Sequence, residues 1–380
     1  MFNSITFSTQ DKFSQNPIDF GHLVECMLFY QKTTILADSN ILASILKHFG
    51  TYNTVELIEN GYLEIIYTEE LAAVMTQNNL HDFYFISTET KNLTEVIGKV
   101  ILEKNGPTGK IKKEARKIAD KIKTEDRPKI ILQTTKNKAL DQNYALKSAK
   151  EIIINLVPEF DVAKVKFETQ IRNNMIEVHD NINYVALNKL YHKYISPKHS
   201  SITPAFIFSH LLDSECDLNF ASRRNSELAT NKMSSNLIQQ NITQIINSTH
   251  KSSEISLSFQ EAVLNGKTIR ESYNNNLITF DELLILLKKS IKFKEWLEKD
   301  TNPDSKIVQE YINEIDKNSF LEKLPCKLLR FAIFSGIGVT ITSSTAGIGL
   351  SAIDSFVMDK LFQGWKPNQF IRDINKIIKK

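Results

Sequence analysis

The sequence is short of cysteine, of phosphate-loop glycine patterns and of excess charge of one sign, and each shortage closes off a class of function. Its three cysteines, Cys26, Cys216 and Cys326, lie far apart. An odd, scattered set supports neither a disulfide framework nor the paired spacing of a zinc site, and it fits a reducing cytoplasm. GPTGK at 106–110 lacks the Walker spacing and the hydroxyl residue after its lysine. SGIGVT at 335–340 does not open a dinucleotide-type helix. GxSxG and HExxH are absent, and no Cys/His pair carries a local catalytic signature. The net charge is only +3 over 380 residues with both signs interspersed, so net charge gives no indication of a nucleic-acid partner. The opening MFNSITFSTQDKFSQ has no basic segment leading into an apolar run, so no secretory signal is expected there. No cofactor is implied.

What is present is apolar patterning along the whole chain. With 42% hydrophobic residues the chain can bury a large core, and its length suggests two or three domains. Heavy use of Asn, Ile and Lys fits an AT-rich bacterial genome. The expected fold is α+β, with a small mixed α/β domain over 1–135 followed by a predominantly helical domain over 136–320. A third segment, 321–380, reads as a Gly/Ser/Thr-rich helical hairpin plus a terminal amphipathic helix, packed on the helical domain.

In the first segment, Lys32–Ala37 (KTTILA) and Tyr62–Tyr67 (YLEIIY) read as strands, with Phe83–Ile86 and Lys129–Gln133 as further candidates. Ser39–Phe49 places Ile41, Leu42, Ile45, Leu46 and Phe49 on one helical face and is closed by Gly50. The lysine-rich stretch after Gly109 spaces Ile111, Ala115 and Ile118 as a helix, with its lysines on the solvated face. Beyond 138, Thr203-Pro204 reads as an N-cap followed by a proline opening a helix. Ser258-x-x-Glu261 and Thr279-x-x-Glu282 are capping boxes. The second launches the cleanest amphipathic helix, with Leu283, Leu286, Leu287, Ile291 and Trp296 near one face and Lys288, Lys289, Lys292 and Lys294 largely off it.

TTILADSNILASIL, beginning at Thr33, resembles the opening of PIN-type ribonucleases, in which a hydrophobic strand delivers an aspartate to a metal site. That resemblance implies Asp38 as first ligand and Glu69 or Glu70 as second, with Asp82 a further candidate. Clustered carboxylates of this kind would bind Mg²⁺ or Mn²⁺ and generate a hydroxide nucleophile. Later acids, Asp120 and Asp126, do not complete the frame. His179-Asp180 is similar to the pair of HD-type phosphohydrolases, but His192, His199 and His210 show no metal-ligand spacing. Arg223-Arg224 could grip a phosphate or carboxylate bidentately, or form helix-surface ion pairs.

The stretch Phe331–Ile353 carries no charge and is long enough to cross a bilayer core as a helix. Gly336, Gly338, Gly347 and Gly349, with many hydroxyl residues, suit a close-packed hairpin; a conditional membrane contact and an oligomer interface are the other readings. Taken together, the sequence points to a cytoplasmic bacterial binding or effector protein. Its partner would be another protein or a second copy of itself, with a role in stress or phage response. A PIN-like metal-dependent nuclease is the alternative.

Overall fold

The computed structural model describes residues 4–8, 17–76, 79–88, 92–107, 109–194, 200–224, 226–231, 233–238, 240, 272–298 and 331–333. Its elements run β1 (Ser4–Phe7), α1 (Phe20–Phe29), β2 (Lys32–Ala37), α2 (Ser39–Phe49), α3 (Thr51–Glu59), β3 (Leu63–Tyr67), β4 (Leu71–Thr76) and β5 (Asn79–Ser87). There follow α4 (Leu93–Asn105), α5 (Ile111–Ala119), β6 (Lys123–Thr124), α6 (Ile130–Leu140), α7 (Gln142–Leu156), β7 (Phe167–Arg172) and β8 (Met175–Asp180). The last are α8 (Tyr184–Tyr194), α9 (Pro204–Arg223), β9 (Glu227–Thr230), α10 (Phe280–Glu298) and β10 (Phe331–Ile333).

The fold is α+β, built on two sheets. The first has six strands in the order β10-β9-β1-β2-β3-β6, every pairing parallel. The second has four antiparallel strands in the order β4-β5-β8-β7. From β1 the chain steps outward through β2 and β3, then returns to lay β9 on the other side of β1. That reversal makes a topological switch point between β1 and β9.

Local chemistry sets the crossovers. Asp38 caps α2, its carboxylate accepting from the N–H groups of Asn40 and Ile41 at 2.7 and 2.9 Å. Gly50, at φ 86°, takes a positive-φ conformation open to glycine where the helix ends. Between them Ile41, Leu42, Ile45, Leu46 and Phe49 are buried, and shortening Leu42 to alanine would cost roughly 2–5 kcal/mol.

Strand alternation gives the parallel sheet two unlike faces. Ile5, Phe7, Ile35, Ala37, Leu63, Ile65 and Tyr67 enter one core with residues of α1, α2, α4, α5 and α10. Thr6, Thr34 and Glu64 stand in register on adjacent strands and face the other way. A parallel sheet covered on both sides is ordinarily apolar on both; here the second face carries a polar row. Helix α9 runs between this face and the second sheet. Its Phe206, Phe208 and Leu211 join a separate core with Phe83, Phe167, Ile176 and Val178, and Phe208 stacks on Phe83 with ring centres 4.7 Å apart.

Several expectations need correction. Lys129–Gln133 is not a strand, because Ile131, Thr135 and Ala139 recur at four-residue spacing and are buried along one side of α6. The predominantly helical stretch beyond 138 also carries strands that were not expected. β7 and β8 form a hairpin through Asn173 and Asn174, at φ 50° and 65°, where asparagine tolerates the backbone a tight turn demands. Both sheets cross residue 135: β8 pairs with β5, and β9 with β1. In α10, Ile291 is exposed and Lys294 is buried, the reverse of the expected sides. Phe331–Ile333 is an edge strand beside β9 rather than helix. The capping box at 258–261, Trp296's side chain, and the rest of Phe331–Ile353 with Gly336, Gly338, Gly347 and Gly349 lie outside the described residues. Among the described residues no helix is long and apolar enough to cross a membrane.

Candidate functional site

Two polar features sit on the α9 side of the parallel sheet, one at each end of its strands. At the carboxyl ends, beside the switch point where open α/β sheets usually take ligands, lies a chamber of about 30 Å³ bounded by Ser8, Asp38, Glu70, Arg127, Asp213 and Asp217. That is space for about one water molecule. Its own side chains fill the crevice. Ser8 and Thr230, just after β1 and at the end of β9, both donate hydrogen bonds to Asp217. Burial pushes the Asp217 carboxyl up to about 7, helped by the charge of Asp213 and opposed by the Ser8 hydrogen bond and by Arg127. Burial disfavours the Arg127 charge, yet Cys216, Asp213 and Asp217 around it hold its pKa above the ordinary value. The Arg127 backbone N–H donates to the Glu69 carboxylate at 2.8 Å, and its Nε donates to the Glu69 carbonyl at 2.9 Å.

The acids implied by the PIN resemblance are therefore only partly brought together. Asp38 and Glu70 share the chamber, but Asp38 is engaged in capping α2 and Glu69 in holding Arg127. Asp82 stands in the other sheet, opposite Glu177. Among the described residues no three His, Cys, Asp or Glu side chains are grouped to hold a metal ion. His179 projects from β8 beside Gln170 and Glu177. Its neighbour Asp180 accepts from the Ile182 N–H and the Tyr184 hydroxyl at the start of α8, the turn role its position suggests.

The second feature is wider. Where α9 ends, the chain turns back into β9, and Arg223 and Arg224 come to rest over the polar row of the sheet. They bound a cleft of about 350 Å³ with Ser4, Lys32, Thr34, Ser226 and Glu125. Glu64 is the hub beneath it. Its carboxylate meets Lys32 Nζ at 3.0 Å and Arg224 Nη1 at 3.2 Å, pairs with Lys123, and accepts from the Thr34 hydroxyl at 3.0 Å. Burial works to raise the Glu64 carboxyl, but hydrogen bonds from Lys123, Lys32 and Thr34 and the charge of Lys32 bring it down to about 2. Glu125 accepts from Arg224 Nη2 at 2.6 Å and pairs with Arg223 Nη1 at 3.2 Å. Four cations thus pair with two carboxylates, and at the opening itself Lys32, Arg223 and Arg224 face Glu125 alone among the described lining residues, an excess of two positive charges in either count.

Sequence reasoning singled out Arg223 and Arg224 but missed Lys32, Thr34, Glu64 and Glu125. One signal was available: a glutamate inside LEIIY, and Lys-Thr-Thr opening KTTILA, are out of place in strands buried on both faces. Compared with protein-family models, curated proteins and solved structures, the chain matches none.

Proposed function

We propose that this protein acts by binding rather than by catalysis, and that the cleft beside Arg223 and Arg224 receives an anionic group of a small molecule. The observation that carries this reading is the charge imbalance: Lys32, Lys123, Arg223 and Arg224 converge on Glu64 and Glu125 alone. Arginine's planar fork suits phosphate and carboxylate alike. The chamber at the switch point, by contrast, has room for about one water molecule. Titrating the full chain with phosphate and sulfate while following thermal unfolding tests the reading, since a ligand of the folded state raises the midpoint. Both anions should raise it, and Arg223→Ala should abolish the rise. An unchanged midpoint at millimolar anion would overturn the proposal.

As an effector, the protein would pass ligand occupancy to a partner protein or a second copy of itself, in a bacterial stress or phage response. The outer face of the four-stranded sheet, where Tyr84 is 41% exposed, supports a contact of that kind. Light scattering with and without anion tests self-association. Conditional membrane contact through Phe331–Ile353 belongs to the same proposal, and fractionation without detergent tests it.

The nuclease alternative has one observation in its favour, the meeting of Asp38 and Glu70 with Asp213 and Asp217 around one chamber. Incubation with RNA or DNA and Mg²⁺ or Mn²⁺ separates the two readings. Cleavage lost in Asp38→Asn would put the nuclease first.

A further inference from the structure

We infer that the ligand of the basic cleft is a sugar phosphate: a phosphate monoester carried on a small polyol. The inference rests on the anion-binding reading above and adds the chemistry of the ligand. The charge count selects the monoester. Lys32, Lys123, Arg223 and Arg224 exceed Glu64 and Glu125 by two, and a monoester carries roughly −1.5 to −2 at neutral pH. A diester or a monocarboxylate, at one negative charge, would leave the cleft half-compensated. Glu64, held near 2 by its partners, stays ionised throughout the neutral range and keeps the count fixed.

Donors for the phosphate oxygens are in place. Among the described residues Arg223 commits only Nη1, to Glu125, and Lys32 only one contact, to Glu64. The remaining guanidinium and ammonium hydrogens are available to an incoming anion.

The walls select the rest of the molecule. Every lining side chain is polar: Ser4, Lys32, Thr34, Arg223, Arg224 and Ser226, with Glu125. Among the described residues no aromatic or aliphatic side chain lines the cleft to bury a nucleobase or acyl chain. Glu125 is an acceptor without hydrogens of its own, so a ligand reaching it must bring donors next to its phosphate, as sugar hydroxyls do. The volume, about 350 Å³, lies at the lower end of the roughly 300–1,000 Å³ of small-molecule sites, which suits a single phosphorylated sugar.

The test is calorimetric titration of the full-length chain with ribose 5-phosphate, inorganic phosphate, dimethyl phosphate and adenosine monophosphate. Ribose 5-phosphate should bind at least tenfold tighter than dimethyl phosphate, and tighter than the other two. Arg223→Ala and Lys32→Ala, each first shown to unfold at the wild-type temperature, should each weaken it at least tenfold. Glu125→Gln should erase the advantage of ribose 5-phosphate over inorganic phosphate while leaving inorganic phosphate bound. Equal binding of dimethyl phosphate overturns the monoester assignment. Tighter binding of adenosine monophosphate, or equal binding of inorganic phosphate, overturns the sugar. If no anion binds at all, the anion-binding reading fails with it.

Discussion

The guanidinium carbon of Arg224 stands 4.6 Å from the centre of the Phe220 ring, one helical turn earlier in the chain. This stacking fixes the plane of the fork, so that one nitrogen reaches Glu64 and another reaches Glu125. Arg224 thereby ties the end of α9 to the strand β3 and to the loop after β6.

Replacing that fork should separate charge from geometry. Arg224→Ala removes both bridges and the ring contact, and is expected to lower stability by about 1–3 kcal/mol, since the side chain is only partly exposed. Arg224→Lys keeps the charge but cannot span two carboxylates, so it should recover less than half. Equilibrium denaturation by urea measures both. Equal stability of the lysine variant and the wild type would show that charge alone is used.

Glu64 predicts an acid limb. Its folded pKa, about 2, lies below the ordinary 4.5, so its contribution is complete above about pH 4.5 and is lost as pH falls toward 2. The shift corresponds to roughly 3 kcal/mol as an order of magnitude. Glu64→Gln should lower stability at pH 7 and flatten the decline between those values. An unaltered slope in unfolding measurements across that range would contradict the role assigned to the carboxylate.

Lys294 predicts the opposite sign. It is 3% exposed, its ammonium 5.7 Å from the centre of the Tyr62 ring, and burial lowers its pKa from 10.5 to about 8. Between those values the unfolded chain holds the extra proton, so stability should rise with pH from about 8 to 10.5. Below pH 8 the buried charge costs at most about 3 kcal/mol. Lys294→Met should therefore stabilise the protein at pH 7 and remove the alkaline rise, readable in thermal unfolding. A destabilised methionine variant would mean that the ammonium is favourably held.

The apolar side of α10 gives a stability contrast. Leu286 is fully buried and Lys289 exposed. Leu286→Asp should cost several kcal/mol by burying an unpaired charge, and Lys289→Ala should be nearly silent. Equal small effects would place the helix on a surface instead.

Much of the local structure was legible because it is set by contacts near in sequence. Asp38, the five apolar residues of α2 and Gly50 specify one helix from start to stop, and Thr279 with Glu282 form the reciprocal hydrogen bonds of a capping box before α10. KTTILA reads directly as β2. Asn173-Asn174 carried a hairpin signal that the surrounding helical text obscured.

What the sequence by itself determined is therefore the type and limits of many elements, since capping, periodicity and turn chemistry act over a few residues. It also singled out Arg223-Arg224, either as a grip for an anion or as ion-pair partners, and both arginines are in ion pairs. Only the tertiary structure decided what that pair faces. Lys32, Glu64 and Glu125 come from separate strands and a loop, and parallel pairing places Thr34 beside Glu64 while the return of the chain through β9 swings the end of α9 over both. The same packing put Arg127 among Asp213 and Asp217 and Lys294 against Tyr62. Electrostatic environment depends on distances through space and on burial, and neither is written in residue spacing.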